Sequence, residues 1–384
     1  MEQQSMSRRQ IRELAGHVAN HAISIYFPTS RIGGDVQQGP IRLKNELAKA
    51  EERLAKEGMR RTLAIDLLAP AAALVEDEAF WNERLDGVAV FLAPNFFRAV
   101  HVPFEVKELC AVGTHFQLRP LLNVLNDRTS AYILALEQGH VRLLHHGPRG
   151  IVSVAVDDMP ESVETFASHE HSGKQVQTHT AGHAGQAGSI IGHGSHDKGI
   201  EERDRLRRFC AAIDKALVRH LHSSETPVVL VGTQEVQDAF RLHSKLPHLV
   251  EKGVVCSPKV LDGNELWTKA SPIIDADSDQ IRQKALGRYR EIVGTGFTSQ
   301  QIEEILPAAM TGKVDILFAN DAPPVWGRFD EAAGVALIHD EPADEDEDLI
   351  NRAALATIAN GGRVYPVNEE DLALTGPAAA IYRY

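Results

Sequence analysis

Short apolar runs closed by turn residues alternate along this chain with stretches whose apolar residues recur every three or four positions. That is the pattern of strands interleaved with amphipathic helices. Ala22–Phe27 (AISIYF), stopped by Pro28, predicts a strand, and Ile41–Lys56 sets Leu43, Leu47, Ala50 and Leu54 on one helical face. Gly87–Leu92 and Phe97–Val102 flank the four residues Ala93-Pro94-Asn95-Phe96 and predict a hairpin. Cys110–Phe116 predicts a further strand and Pro120–Leu125 a short helix.

A polar break follows at Asn126-Asp127. Ala131–Leu136 and Val141–His145, joined by a turn at Gly139-His140, and then Ile151–Val156 predict three strands. Residues 157–199 lose all periodicity; seven glycines lie between Gly173 and Gly199, and six histidines between His169 and His196. So long a structureless run in a compact domain marks a functional or disordered loop. With no apolar face to pack, residues 168–198 are expected to be poorly ordered in the isolated protein.

Helical spacing returns over Ile200–Leu221, with Leu206, Phe209, Cys210, Ile213, Leu217 and Leu221 on one face. Pro227–Gly232 (PVVLVG) predicts a strand covered on both faces, running through Thr233 into a helix. Asp275–Asp279 (DADSD) is the second polar break. Beyond it the pattern predicts a helix over Gln280–Val293. A second helix, Ser299–Thr311, would be opened by a capping box at Thr298 and Gln301 and stopped by Gly312. A central strand at Val314–Ala319, a helix at Leu349–Ala359 and terminal strands at Val364–Val367 and Ala378–Tyr382 complete the series. The whole reads as a mixed α/β, multidomain chain with segments 1–127, 128–276 and 277–384.

Composition narrows this picture. The 384 residues suit two or three domains, and 43% hydrophobic with 24% charged residues excludes disorder of the whole chain. The net charge of −13 is concentrated in residues 277–384, mainly at Asp340–Asp348 (DEPADEDED), which reads as a solvated loop. Attraction of the whole surface to DNA or RNA is thereby excluded, although local basic patches are not. Apolar runs are far shorter than the roughly 18–20 residues of a membrane span, and the N-terminus lacks the apolar core of a signal peptide. Cys110, Cys210 and Cys256 are too isolated for a zinc site or a disulfide framework. A cytoplasmic protein without membrane contact is expected.

The candidate chemistry lies in the glycine-rich loop. Gly182-His183-Ala184-Gly185-Gln186-Ala187-Gly188 fails as a dinucleotide fingerprint, since its spacing is wrong and no strand enters it. Its glycines free the backbone for close approach to a ligand, and Gln186 brings an amide that both donates and accepts. His179, His183, His193 and His196 could ligate zinc, but glycines remove the rigid scaffold that ligand geometry needs, so no metal is expected. Neither a G-x-S-x-G elbow nor a Walker motif is present, and no cofactor is expected. Arg203, Arg205, Arg207 and Arg208 crowd the start of the following helix and could meet phosphates; with Glu201, Glu202 and Asp204 they could equally form a solvated face.

The order of these parts resembles the central domain of archaeo-eukaryotic class-1 peptide release factors and Pelota. The matching pieces are AYILALEQGHVRLLHH, the loop around GHAGQAGS, the helix ERDRLRRFCAAIDKAL and PVVLVGTQEVQDAF. LGRYREIVGTG, QQIEEILPAAMTGKVDILFAN and NGGRVYPV resemble the family's third domain, an α/β fold related to kink-turn-binding ribosomal proteins. FPTSR, PIRLKNELAKAEERL and FWNERLDGVAVFLAP look like the N-terminal domain of the family's bacterial relatives. No counterpart of the stop-codon-reading elements is found.

The resemblance implies a Gly-Gly-Gln tripeptide at the loop tip. Ala184-Gly185-Gln186 stands there, so Gly185 and Gln186 take the catalytic places while Ala184 departs from the first glycine. Two readings follow. One is a ribosome-associated rescue factor that hydrolyses the peptidyl-tRNA ester on stalled ribosomes, with Gln186 orienting water and the four arginines on RNA. The other is a non-catalytic Pelota-like module that binds the ribosome or a structured RNA. A metal-dependent hydrolase built on the histidines is the outside alternative.

Overall fold

The structure is a computed structural model describing residues 6, 8–29, 38–82, 85–122, 130–147, 150–167, 196–222, 224–320, 323–341, 343, 346–367, 371 and 376–384. The chain divides into two compact units, one formed by Met1–Asp127 together with Gln280–Tyr384, the other by Arg128–Asp279.

The first segment runs α1 (Arg8–Ala15), β1 (Val18–Pro28), α2 (Gln38–Lys56), α3 (Arg61–Ala73), α4 (Glu78–Trp81), β2 (Gly87–Ala93), β3 (Phe96–Val102) and β4 (Leu109–His115). The strands form an antiparallel sheet in the order β3-β2-β1-β4. Period-two alternation sorts β1 between two cores. Ile23, Ile25 and Phe27 face Leu43, Leu47 and Leu54 of α2 and Leu68 of α3, while Ala22 and Tyr26 join Phe91 and Phe116 on the other side. Coverage of both faces is why this strand reads as an unbroken apolar run. The β2–β3 hairpin turns through Asn95 at φ 61°, a left-handed conformation that asparagine tolerates. The expected helix at Pro120–Leu125 is a short 3₁₀ turn, Arg119–Leu121, within the described residues.

The second unit contains β5 (Ala131–Glu137), β6 (His140–Gly147), β7 (Gly150–Val154), α5 (His196–His220), β8 (Val228–Gly232), α6 (Gln234–Arg241), β9 (Val254–Val255) and the start of α7 (Gly263–Ile292). Its sheet order is β7-β6-β5-β8-β9, antiparallel through β5 and parallel from β5 to β9. Leu134, Leu136, Val228 and Leu230 meet the apolar stripe of α5; Ile133, Ala135, Val229 and Val231 meet Leu266, Ala270 and Ile274 of α7. All five residues of β8 are buried, as its sequence predicts. A Cβ at Gly232 would lie 2.7 Å from the carbonyl oxygen of Leu136, so only glycine admits β8 so close to β5.

The last segment continues with β10 (Thr298–Ser299), α8 (Ile302–Met310), β11 (Val314–Asn320), β12 (Trp326–Asp330), β13 (Val335–Ile338), β14 (Glu347–Asp348), α9 (Leu349–Ala359), β15 (Arg363–Val367) and β16 (Ala378–Tyr382). One sheet has the order β10-β16-β11-β15 and a smaller one β13-β12-β14. Gly312 (φ 74°) and Gly361 (φ 73°) end α8 and α9 in the left-handed conformation.

Asp275–Asp279 lies within the 30-residue α7, and the boundary between the two units falls at its end, between Asp279 and Gln280. Two expectations are corrected here. The α8 cap is shifted, because Thr298–Ser299 pairs as a strand; Ser299 Oγ accepts from Gln301 N (3.1 Å) and donates to Glu304 Oε2 (2.6 Å). Finally, the acidic run is not wholly a solvated loop. Asp346 and Asp348 are buried, Asp346 against Arg328 and His339, Asp348 against Arg119.

The first and last segments share one core. Ile11, Leu14, Phe116 and Leu121 cluster with Leu306, Leu349 and Ala353. Polar groups tie the same seam: Asn351 accepts from Leu118 N (2.8 Å) and donates to Phe116 O (3.0 Å), and Arg119 donates to Asp348 (2.7 Å) and to Asn320 O (3.1 Å). Arg352 contacts His115, and His115 Nδ1 lies 3.3 Å from Glu347.

Candidate functional site

Two stems lead to the glycine-rich loop, and both rest on α5. On the entering side, Val156, Met159, Val163 and Phe166 pack onto the core that contains Leu206, Phe209 and Ile213. Residues 163–167 are helical, so part of the stretch that lacks periodicity in the sequence is folded. Phe166 meets Phe209 edge-on, with ring centroids 6.1 Å apart, and Arg219 reaches Asp158 at 3.0 Å. On the leaving side the chain becomes α5 at His196. Phe166 and Leu206 thus lie in one core on the two sides of residues 168–195.

The loop tip itself, with Ala184, Gly185 and Gln186, lies outside the described residues, as do His179, His183 and His193 and the expectation about loop order. Among the described residues no group of three or more histidines, cysteines or acids could hold a metal ion.

Arg203, Arg205, Arg207 and Arg208 are all exposed in the third and fourth turns of α5, between and beside the buried Leu206, Phe209 and Cys210. They share that surface with exposed Glu201, Glu202 and Asp204, and Arg208 Nε lies 3.3 Å from Asp204 Oδ2. An exposed pair at i,i+4 holds only a few tenths of a kcal/mol.

The scaffold is set by residues whose roles the sequence did not reveal. Asp214 on α5 is buried and accepts from Ser244 Oγ (2.6 Å) and Lys245 N (3.0 Å), fixing the chain beyond α6 to the helix that carries the arginines. Buried Gln237 donates to Gly232 O (3.0 Å) and Val254 O (2.9 Å), holding β9 in place. Ser130 and His145 approach within 2.9 Å; burial, and secondarily His146, lower the His145 pKa, and its ring lies against Tyr132. Burial pushes Cys210 up to about 12 and Cys110 up to about 11, so both are neutral thiols rather than nucleophiles.

The family described as bacterial archaeo-eukaryotic release factor family 3 matches residues 132–313, from β5 across the loop to the end of α8. Over that span, a little under half of its length, the chain is similar to that family. No curated protein matches the sequence. Solved structures similar to it include an archaeal translation termination factor, 15% identical over 100% of both chains with a TM-score of 0.24. Archaeal Pelota, from a ribosome-bound assembly with ABCE1, is 10% identical over 99% of this chain and 95% of its own, with a TM-score of 0.38. A translation termination-like factor of S. cerevisiae, described as involved in RNA quality control pathways, is 11% identical over 76% of this chain and 74% of its own, with a TM-score of 0.33. Among the described residues no helix is long and apolar enough to cross a membrane.

Proposed function

We propose that this release-factor-like protein acts at the ribosome and hydrolyses the peptidyl-tRNA ester of stalled complexes through Gly185 and Gln186. The observation that carries the reading is the family match over residues 132–313, a span that contains Ala184-Gly185-Gln186. Ester hydrolysis needs a water in line with the carbonyl and donors for the developing oxyanion. Glutamine is no general base, so the role of Gln186 is to orient water by its amide while backbone N–H groups of the tip face the oxyanion. Gly185 lets the tip enter an RNA-walled site where a side chain would clash. Arg203, Arg205, Arg207 and Arg208 then bind rRNA or tRNA phosphates behind the tip.

Gln186→Ala should lower peptide release from stalled ribosomes by about 10²–10³-fold while leaving ribosome binding intact. A release rate unchanged by Gln186→Ala sinks the hydrolase reading. The second reading, a binding module of the Pelota type, is favoured by Ala184, where φ > 0 costs roughly 1 kcal/mol or more. Ala184→Gly separates the two. If wild type and Ala184→Gly both bind ribosomes and neither releases peptide, the binding module stands.

A further inference from the structure

The small sheet β13-β12-β14 has an open side. Among the described residues β13 pairs only with β12, in the register Gly327↔Ile338 to Asp330↔Val335. His339 N donates to Trp326 O (2.9 Å), which makes Trp326–His339 a hydrogen-bonded position. By antiparallel alternation the main chain of Val335 and Leu337 faces β12, and that of Ala336 and Ile338 faces outward. Edge strands are normally blunted by lysine, proline, a bulge or an inward charge. Val335-Ala336-Leu337-Ile338 has none of these. Ala336 is buried, whereas Val335, Leu337 and Ile338 are 47%, 50% and 40% exposed.

The surroundings of this edge say what covers it. No lysine or arginine occurs between Arg328 and Arg352, and nine acidic residues do. Asp346, Glu347 and Asp348 are engaged with Arg328, Arg352, His115 and Arg119, but Asp330, Asp340 and Glu341 are exposed at the two ends of the hairpin. Pairing of β13 with the β13 of a second copy would bring these carboxylates together in both directions, so a self-paired dimer is opposed by like charge. A strand with apolar alternate residues and basic flanks meets both the apolar edge and its acidic ends.

We propose that β13 is a docking edge for another protein, which adds a short extended segment with lysine- or arginine-rich flanks as a further strand of this sheet. The strand β13 belongs to the first unit, and the proposal does not depend on the hydrolase reading.

The test uses the full chain and a fluorescein-labelled peptide, Lys-Lys-Val-Thr-Val-Thr-Val-Lys-Lys, followed by fluorescence anisotropy. Binding should weaken about tenfold or more when alternate amides of the peptide are N-methylated, which blocks the ladder but keeps the charge. Leu337→Lys and Val335→Lys should weaken it similarly, with circular dichroism confirming that each variant is folded. The same affinity for the methylated peptide would reduce the effect to charge alone and overturn the proposal. Failure of the unmodified peptide to bind at about 1 mM would do so too. A concentration-dependent dimer abolished by Leu337→Lys would assign the edge to self-association instead.

Discussion

Asp348 accepts from three donors: Ile350 N at the start of α9, Gln117 Nε2 and Arg119 Nη1. Its side chain is 1% exposed and that of Arg119 12%, so neither charge can turn to water if the other is removed. Arg119→Met should destabilise the first unit by about 3–5 kcal/mol, the cost of stranding a buried charge, read by denaturant unfolding. A loss below about 1 kcal/mol would mean that the pair is solvated. Asp346 behaves differently. Burial raises its pKa, but the Ala343 amide, His339 and Arg328 outweigh this and hold it below the ordinary aspartate value. A depressed folded pKa contributes stability that is present above the unfolded pKa, about 4, and lost as pH falls through the folded one. Asp346→Asn should therefore cost stability at pH 7 and flatten the acid limb of the stability curve, which urea titrations between those conditions would measure. The thiols give a third expectation. With Cys110 and Cys210 buried and their pKa values raised, Cys256 should label with a thiol reagent at pH 8 while the other two wait for unfolding. Rapid labelling of Cys210 would mean that α5 separates from its sheet.

At the scale of elements, sequence pattern revealed what local pattern governs. The strands β2, β5, β8 and β16 are apolar runs, β1 and β11 are apolar runs that also carry Ser24 and Asp315, and the buried stripe of α5 has the 3.6-residue period; all were legible. The helix α3 was not, because RTLAIDLLAPAAA is apolar almost all round and carries no amphipathic signal. The sheet β13-β12-β14 was missed for a different reason. Its acidic strand β14 is only two residues long, and its burial depends on cations contributed by distant segments. Glycine at position 232 was legible as part of a strand-to-helix junction, but its reason is tertiary. Gly232→Ala should cost roughly 1–3 kcal/mol, since the carbonyl of Leu136 is backbone and cannot turn aside. Thermal unfolding would show it, and an unshifted midpoint would mean that β5 and β8 slide apart without penalty.

For the whole molecule, the sequence separated the first and last segments, and their polar boundaries carry no sign that Met1–Asp127 and Gln280–Tyr384 make one unit. Contacts such as Leu118 with Asn351 are 233 residues apart, beyond any periodicity. The candidate site was legible in another sense: Gly185 and Gln186 stood out by resemblance and the arginines by spacing, whereas Asp214 and Gln237, which fix their scaffold, are polar residues whose burial no pattern announces. Residues 1–127 expressed alone would leave Ile11, Leu14, Phe116 and Leu121 without their partners, so this fragment should aggregate and be rescued by coexpression with residues 280–384. Copurification of the two pieces tests this; a soluble, cooperatively folded 1–127 fragment would refute it. The same seam has a consequence in time. Arg119 and Asp348 are separated by 229 residues, so at a synthesis rate of roughly 5–20 residues per second the guanidinium waits on the order of ten to fifty seconds for its carboxylate. Throughout that interval the nascent first sheet has one apolar face uncovered. The chain is thus most exposed to misassembly while it is being made, and slow elongation through the middle unit would lengthen the hazard.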